Sequence, residues 1–461
     1  MIRLILFIIL AGVSAPILYF YFKSPPPLPD IDLEEWWGPK LAKSKYNDSI
    51  VPFQVEFSNS IVKDIKDRLR AHRPLTPPLE GIAFEYGFNS KELESWLKYW
   101  EEEYPFSDRE KYINQYKHYK TNIQGLDIHF VRVTPEVSPG KEVVALILLH
   151  GWPGCFLEFY DSIPFFTAAN MDRDFAVELI IPSLPGYGFS SGAVRPGLGP
   201  DKMAIVMRNL MNRLGYKKYY VQGGDAGAVV GNVMATFFPK EVLGYHANFA
   251  LLATAWSSIV RLLGSIYPPL VVRSDLADRM YPLGAHFSFV LQEMGYFHLQ
   301  ATKPDTAGVA LSESPAGLAA YILEKFSTWT KPEYRSKPDG GLTQHYTKER
   351  LIDNVMVYWV SRSMTTSMRL YAETNTIRFL GLSLDEIPTP VPTSILQPKY
   401  ELFYEPEWIL KSKYTNLLKV TVLEDGGHFF AMELPDVFAK DVLTSIASFR
   451  NWHKQFSRTE L

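Results

Sequence analysis

The stretch Lys218-Tyr219-Tyr220-Val221-Gln222-Gly223-Gly224-Asp225-Ala226-Gly227, with Ala228-Val229-Val230-Gly231-Asn232-Val233-Met234-Ala235 after it, decides the fold. A short β-prone run enters a glycine-rich turn, and a helical run of small residues leaves it. Strand, sharp turn and helix are the context in which a G-x-nucleophile-x-G pattern is meaningful. Glycines flank the central residue because a strained turn and close strand–helix packing leave no room for side chains. Taken alone, the pentapeptide Gly223 to Gly227 has a second reading, a tight turn whose Asp225 caps the helix.

The central residue is an aspartate where a serine is usual, and that changes the chemistry. A carboxylate is ionised near neutral pH and needs no base before it attacks an electrophilic carbon. Attack on a saturated carbon forms an ester with the enzyme, and water can then cleave that ester at the Asp carbonyl within an oxyanion hole. A serine making the same attack would end as an ether. An Asp at this turn therefore points to hydrolysis of epoxides or alkyl halides.

The rest of the chain is consistent with a large α/β protein. It has 461 residues, 47% hydrophobic and 21% charged, with a formal net charge of −3. That length accommodates one large domain with an insertion, or two domains. A near-neutral balance without basic runs excludes nucleic acid as an expected partner. The single cysteine, Cys155, rules out an internal disulfide framework and fits a reducing compartment.

At the N-terminus, Leu4 to Phe22 is an almost unbroken apolar run between Arg3 and Lys23, followed by Ser24-Pro25-Pro26-Pro27. Such a run is long enough to span a bilayer as one helix. A cleaved signal peptide is the alternative, with Val13-Ser14-Ala15 as its best site. Pro16 directly after that cut, and the continuing apolar run, favour an uncleaved anchor. The stretch from Ser24 to Asp30 then reads as a stiff spacer. Trp36-Trp37-Gly38-Pro39 reads as a packing or membrane-proximal cluster, and Phe53 to about Gln124 as helical and aromatic.

Core strands are expected at Val143 to Leu149 and Val177 to Ile181, both short apolar runs suited to buried parallel strands. Met203 to Leu214 has helical spacing. Strand runs return at Pro392 to Gln397 and Leu418 to Leu423, and a closing amphipathic helix covers about Pro435 to His453. Between Phe249 and Glu373 the pattern is helical, with proline breaks, and reads as a cap inserted over the sheet. Alternating strands and helices predict a doubly wound parallel sheet.

Two further turns share the chemistry of Asp225. His150-Gly151-Trp152-Pro153-Gly154 follows the first long apolar strand, so the Trp152 backbone N–H can serve as an oxyanion donor, with that of Ala226 as the second. Gly426-Gly427-His428-Phe429-Phe430 follows the last apolar strand, which makes His428 the candidate general base among ten histidines. The acid that orients it should lie between Asp225 and His428 in chain order. Glu401, just past the strand ending at Gln397, is favoured by spacing over Glu405 and Asp385.

Asp225, His428, His150-Gly151-Trp152-Pro153, Pro182-Ser183-Leu184-Pro185-Gly186-Tyr187-Gly188-Phe189-Ser190 and the N-terminal run together resemble the microsomal epoxide hydrolases, and within them the insect juvenile hormone enzymes. The likeness extends along the chain, through Trp36-Trp37-Gly38-Pro39 and Gln300-Ala301-Thr302-Lys303-Pro304-Asp305-Thr306. It implies an α/β-hydrolase fold, a nucleophilic Asp225, a His428/Glu401 charge pair, and two cap tyrosines that hydrogen-bond the epoxide oxygen. By local match these are Tyr296 and Tyr371. It also implies the endoplasmic reticulum or microsomal membrane as location; the length of the apolar run makes the anchor single-pass, and the lone cysteine favours a cytosolic catalytic body. The chain departs from the family directly after the nucleophile, where tryptophan is usual and Ala226 stands here. Alanine keeps the backbone N–H but removes an aromatic wall.

The expected organisation is a membrane anchor over 1–23, a proline-rich linker over 24–50 and an N-terminal wrapping segment over 51–130. An α/β-hydrolase core would follow over 131–248 and 376–461, interrupted by a helical cap over 249–375. The expected activity is opening of lipophilic epoxides to vicinal diols through an aspartyl ester, with juvenile hormone the leading candidate and no metal or organic cofactor. The alternatives are a broad-specificity enzyme for foreign compounds or epoxy-lipids and a catalytically silent hormone-binding protein. A haloalkane dehalogenase fits less well, since the tyrosine pair suits an oxygen leaving group.

Overall fold

The computed structural model describes residues 23–40, 43, 47–137, 140–168 and 173–459, with side chains as far as 455. The apolar run Leu4 to Phe22 lies outside these residues. Among the described residues, no helix is long and apolar enough to cross a membrane.

Among the described residues nine strands form one sheet: β1 (Val51–Phe53), β2 (Lys117–Ile123), β3 (Leu126–Val133), β4 (Glu142–Leu149), β5 (Phe175–Pro182), β6 (Tyr219–Gly223), β7 (Val242–Ala247), β8 (Thr389–Gln397) and β9 (Tyr414–Val422). Their order is β1-β2-β3-β5-β4-β6-β7-β8-β9. From β5 through β9 every pairing is parallel. These central strands are apolar because helices cover both faces; Leu146 to Leu149 of β4 are all buried.

The sheet is mixed, which corrects the expectation of a parallel one. β1, β2 and β3 pair antiparallel, and β3 joins β5 antiparallel. Of these strands β2 interrupts the stretch read as helical between Phe53 and Gln124, where only Asn59–Arg70, Ser90–Glu102 and Phe106–Ile113 are helices. The misreading has a physical source. The buried positions of β2 are His118, Thr121 and Ile123, which fall on both faces and are mostly polar, so the strand shows no apolar alternation. His118 is satisfied instead by hydrogen bonds, its Nδ1 meeting His129 Nε2 at 2.9 Å and its Nε2 the Ile113 carbonyl at 2.8 Å. The β2–β3 hairpin turns on Gln124 (φ 52°) and Gly125 (φ 85°), the left-handed pair that a two-residue hairpin requires.

Trp36-Trp37-Gly38-Pro39 packs on this turn. The Trp37 N–H donates to the Gln124 carbonyl at 2.8 Å, and the Arg195 guanidinium sits over the buried Trp37 ring at 4.0 Å.

Between β7 and β8 the chain is helical, through Ala255–Ile266, Leu283–Glu293, Gly295–Thr302, Pro304–Glu313, Pro315–Thr328, Lys348–Ser361 and Met364–Thr374. Pro304 and Pro315 occupy first helical positions, where the missing N–H costs nothing. The N-terminal helices pack against this segment: Tyr99 donates to Glu349 at 2.6 Å, Tyr104 to Asp353 at 2.7 Å, and Arg109 pairs with the buried Asp353. The helix Pro435–Thr459 closes the fold.

Register brings the three turns together. Leu149 of β4 pairs with Gly223 of β6, and Gly223 with Ala247 of β7, so the turns after β4 and β6 emerge side by side. Gln397 of β8 pairs with Val422 of β9, placing the loops after those strands together as well. All lie at the carboxyl ends of the parallel strands, where open α/β sheets bind their ligands.

Candidate active site

Asp225 sits in the left-handed region at φ 45°, an uncommon conformation for a residue with a side chain. The flanking glycines show why the turn must be so tight. A Cβ on Gly223 would lie 2.3 Å from the Gly227 carbonyl oxygen, and one on Gly227 would lie 2.0 Å from that of Leu149. A Cβ on Gly151 would lie 2.1 Å from Asp225 Oδ1 itself. The helix Asp225–Phe237 then carries the strained residue at its first position.

Each carboxylate oxygen of Asp225 has its own partner. The Trp152 N–H donates to Oδ1 at 3.0 Å, while Oδ2 faces His428 Nε2 at 3.5 Å. On its other side His428 Nδ1 meets Glu401 Oε1 at 2.8 Å. The two rejected acids are engaged elsewhere: Glu405 accepts the Leu252 N–H at 3.1 Å and pairs with Arg261, and Asp385 accepts the Ala253 N–H at 2.9 Å. The Ala226 N–H, in the first helical turn, belongs to the set that has no intrahelical acceptor.

Burial penalises a charged imidazole, yet the carboxylates of Glu401 and Asp225 outweigh it and hold His428 well above the usual histidine range. His150 behaves oppositely. It is enclosed, and burial pushes its pKa down to about 4, so its ring is neutral. Its Nε2 accepts the Leu184 N–H at 3.2 Å, joining the His150–Gly154 turn to the Pro182–Ser190 loop.

Tyr296, on the helix Gly295–Thr302, and Tyr371, on the helix Met364–Thr374, meet edge to face with ring centroids 5.7 Å apart. Trp152 stacks on Tyr296 at 4.8 Å and 10°, and meets Tyr371 edge-on at 6.1 Å. Burial, with the nearby Asp225 charge, lifts both phenols well above their ordinary value, so both are neutral donors at pH 7. The sequence-chosen residues Asp225, His428, Glu401, Tyr296, Tyr371, Trp152 and Ala226 thus form one connected group.

Several contributors were not visible in the sequence. Glu433 accepts the Gly427 N–H at 2.6 Å and the Phe429 N–H at 2.9 Å, while the Trp329 carbonyl accepts the intervening His428 N–H at 2.9 Å. Three successive N–H groups around the histidine are therefore fixed. The Trp329 ring also meets His428 edge-on at 4.9 Å. Glu158 is a second enclosed carboxyl, pushed up to about 8 by burial, with the charges of His428, Asp225 and Glu401 acting on it. Its signal was an acid inside the apolar run Cys155-Phe156-Leu157-Glu158-Phe159-Tyr160.

A family model described as epoxide hydrolase N terminus matches residues 50–159, and one for the alpha/beta hydrolase fold matches residues 144–377. A juvenile hormone epoxide hydrolase of Bombyx mori is 58% identical over 437 residues, covering 95% of each chain. The chain belongs to the epoxide hydrolase family. It is a hydrolase acting on epoxides, built on the α/β-hydrolase fold. Epoxide hydrolase 1 of Oryctolagus cuniculus is 39% identical, covering 95% of this chain and 98% of its own. The crystal structure of the Bombyx mori enzyme superposes with a TM-score of 0.91 over 92% of this chain and 100% of that one. The Aspergillus niger epoxide hydrolase, 27% identical, gives 0.73 over 88% and 98%.

Proposed function

We propose that this enzyme opens lipophilic epoxides to vicinal diols through an ester on Asp225. The observation that carries the reading is the division of the Asp225 carboxylate, with Oδ1 on the Trp152 N–H and Oδ2 facing His428. Oδ2 attacks a ring carbon and the C–O bond of the epoxide breaks. Tyr296 and Tyr371 donate to the departing oxygen, and one of the two phenols gives it a proton as the ring opens. Esterification removes the charge of Asp225, so His428 loses one of its two carboxylate supports and gives up its proton, which restores the phenol through solvent, and the neutral imidazole is a competent base. It then takes a proton from water, and the hydroxide adds to the Asp225 carbonyl carbon. Oδ1 carries the negative charge in the hole formed by the Trp152 and Ala226 N–H groups. Collapse expels the diol, to which His428 returns the proton; the acid proton left on Asp225 then passes to His428, and Glu401 supports the imidazolium between these steps.

Juvenile hormone is the leading substrate, by kinship with the Bombyx mori enzyme. Ala226 supports a second reading, a broader range of epoxides, because a small residue beside the nucleophile enlarges the space for bulky groups. We assign residues 249–375 as a cap that encloses the substrate over the core of 131–248 and 376–461. Residues 51–130 wrap that core, and residues 1–23, through linker 24–50, anchor it as a single pass in the endoplasmic reticulum membrane, with the body cytosolic. An apolar anchor suits substrates that partition into lipid.

A single turnover in ¹⁸O-water tests the ester. Label should appear in the peptide carrying Asp225 and be absent from the first diol formed. Diol bearing the label, with an unlabelled peptide, would overturn the mechanism.

A further inference from the structure

Lys325 is a buried lysine, 5% exposed, on the helix Pro315–Thr328. Taking an ammonium group out of water is costly, so its placement calls for compensation. Part comes from polar partners: Nζ donates to the Glu293 carbonyl at 3.0 Å and pairs with Glu324 at 2.9 Å. The remainder is aromatic. Nζ lies 5.2 Å from the centroid of Tyr296 and 5.4 Å from that of Trp329, within the range at which a ring face attracts a cation. Tyr296 is also the ring on which Trp152 stacks, so the lysine acts on a phenol packed against the residue whose N–H holds Asp225.

We propose that Lys325 is a positioning and activating residue for Tyr296, raising the acidity of the phenol that donates to the epoxide oxygen. This rests on the role assigned to Tyr296 above. A cation over the ring withdraws electron density from the phenol and favours the partial negative charge that builds on its oxygen as the ring opens. The same cation gives no comparable help to cleavage of the ester, where His428 and the backbone N–H groups act. Glu324 offsets part of the charge at long range but holds the ammonium in place. Its own charge is disfavoured by burial, which raises its pKa.

Rapid-quench single turnovers of styrene oxide by the full chain separate formation of the Asp225 ester from its decay. Lys325→Met removes charge and donor; Lys325→Gln removes the charge and keeps a donor for the Glu293 carbonyl, so a folded variant remains if the first does not fold. Either should slow ester formation about tenfold, equivalent to about 1.4 kcal/mol, and leave ester decay within about twofold. In a Tyr296→Phe background the same substitution should have no further effect on ester formation. Equal losses in both backgrounds, or a loss confined to ester decay, would overturn the proposal. If Tyr296→Phe alone leaves ester formation unchanged, the role given to Tyr296 fails, whatever Lys325 does.

Discussion

Glu401→Gln removes a charge from one side of His428 and leaves the shape of the site intact. Glu401 Oε1 lies 2.8 Å from His428 Nδ1, and the pair is buried. Two unit charges about 4 Å apart in surroundings of effective dielectric about 20 attract by about 4 kcal/mol. The attraction matters unequally along the reaction. While Asp225 attacks, His428 is already supported by the Asp225 carboxylate and need not change its charge. Once Asp225 is an ester, the imidazolium that forms as water is deprotonated depends on Glu401 alone. Ester decay should therefore slow about a thousandfold in Glu401→Gln, since about 1.36 kcal/mol is worth a factor of ten, and ester formation should change far less. Acid quench followed by mass measurement of the Asp225 peptide would show the ester accumulating to nearly one per enzyme. A variant that decays its ester at the parent rate, or forms none while still making diol, would refute the reasoning.

Asp225→Gly should abolish diol formation yet raise stability by about 1 kcal/mol in urea unfolding, because glycine adopts the left-handed φ of 45° without strain. Ala226→Trp should shift the ratio of kcat/KM between juvenile hormone and styrene oxide by tenfold or more, while the yield of labelled Asp225 peptide stays the same. His428 is held above its unfolded value, so the stability it adds is fully present below about pH 6.5 and is lost as pH rises through its raised folded pKa. The stability difference between the parent and His428→Gln should accordingly shrink from pH 6 to pH 10, as read by urea midpoints; a gap that widens over that range would contradict the charge arrangement.

Chemistry was more legible in the chain than topology. Asp225, His150 and His428 each follow a strand that an apolar or β-prone run makes readable, although only Tyr414 of β9 is buried. β2 carried no such signal, since its buried positions include His118 and Thr121, which are satisfied by hydrogen bonds to distant groups. β7 was hidden similarly, with Gly244 and His246 in a six-residue strand and the His246 Nε2 meeting Asp441 at 3.1 Å. The choice of Glu401 over Glu405 rested on spacing. What separates them physically is Arg261, which occupies Glu405 and lies 144 positions away in the chain. Glu433 and Trp329 were unreadable for the same reason, because both act through backbone groups of the histidine loop.

The Trp329 carbonyl has a consequence for how this scaffold can be altered. It belongs to the helical segment, yet it accepts the backbone N–H of His428, which belongs to the sheet's last loop. Asn354 and Tyr358 of that segment likewise donate to the carbonyls of Pro153 and Gly154, each at 2.8 Å, in the turn that carries Trp152. The segment is thus part of the frame that fixes His428 and the turn carrying Trp152. A chimera that grafts it whole from a distant relative would disturb both at once. Exchange of a single residue beside Asp225, such as Ala226, leaves these backbone hydrogen bonds in place.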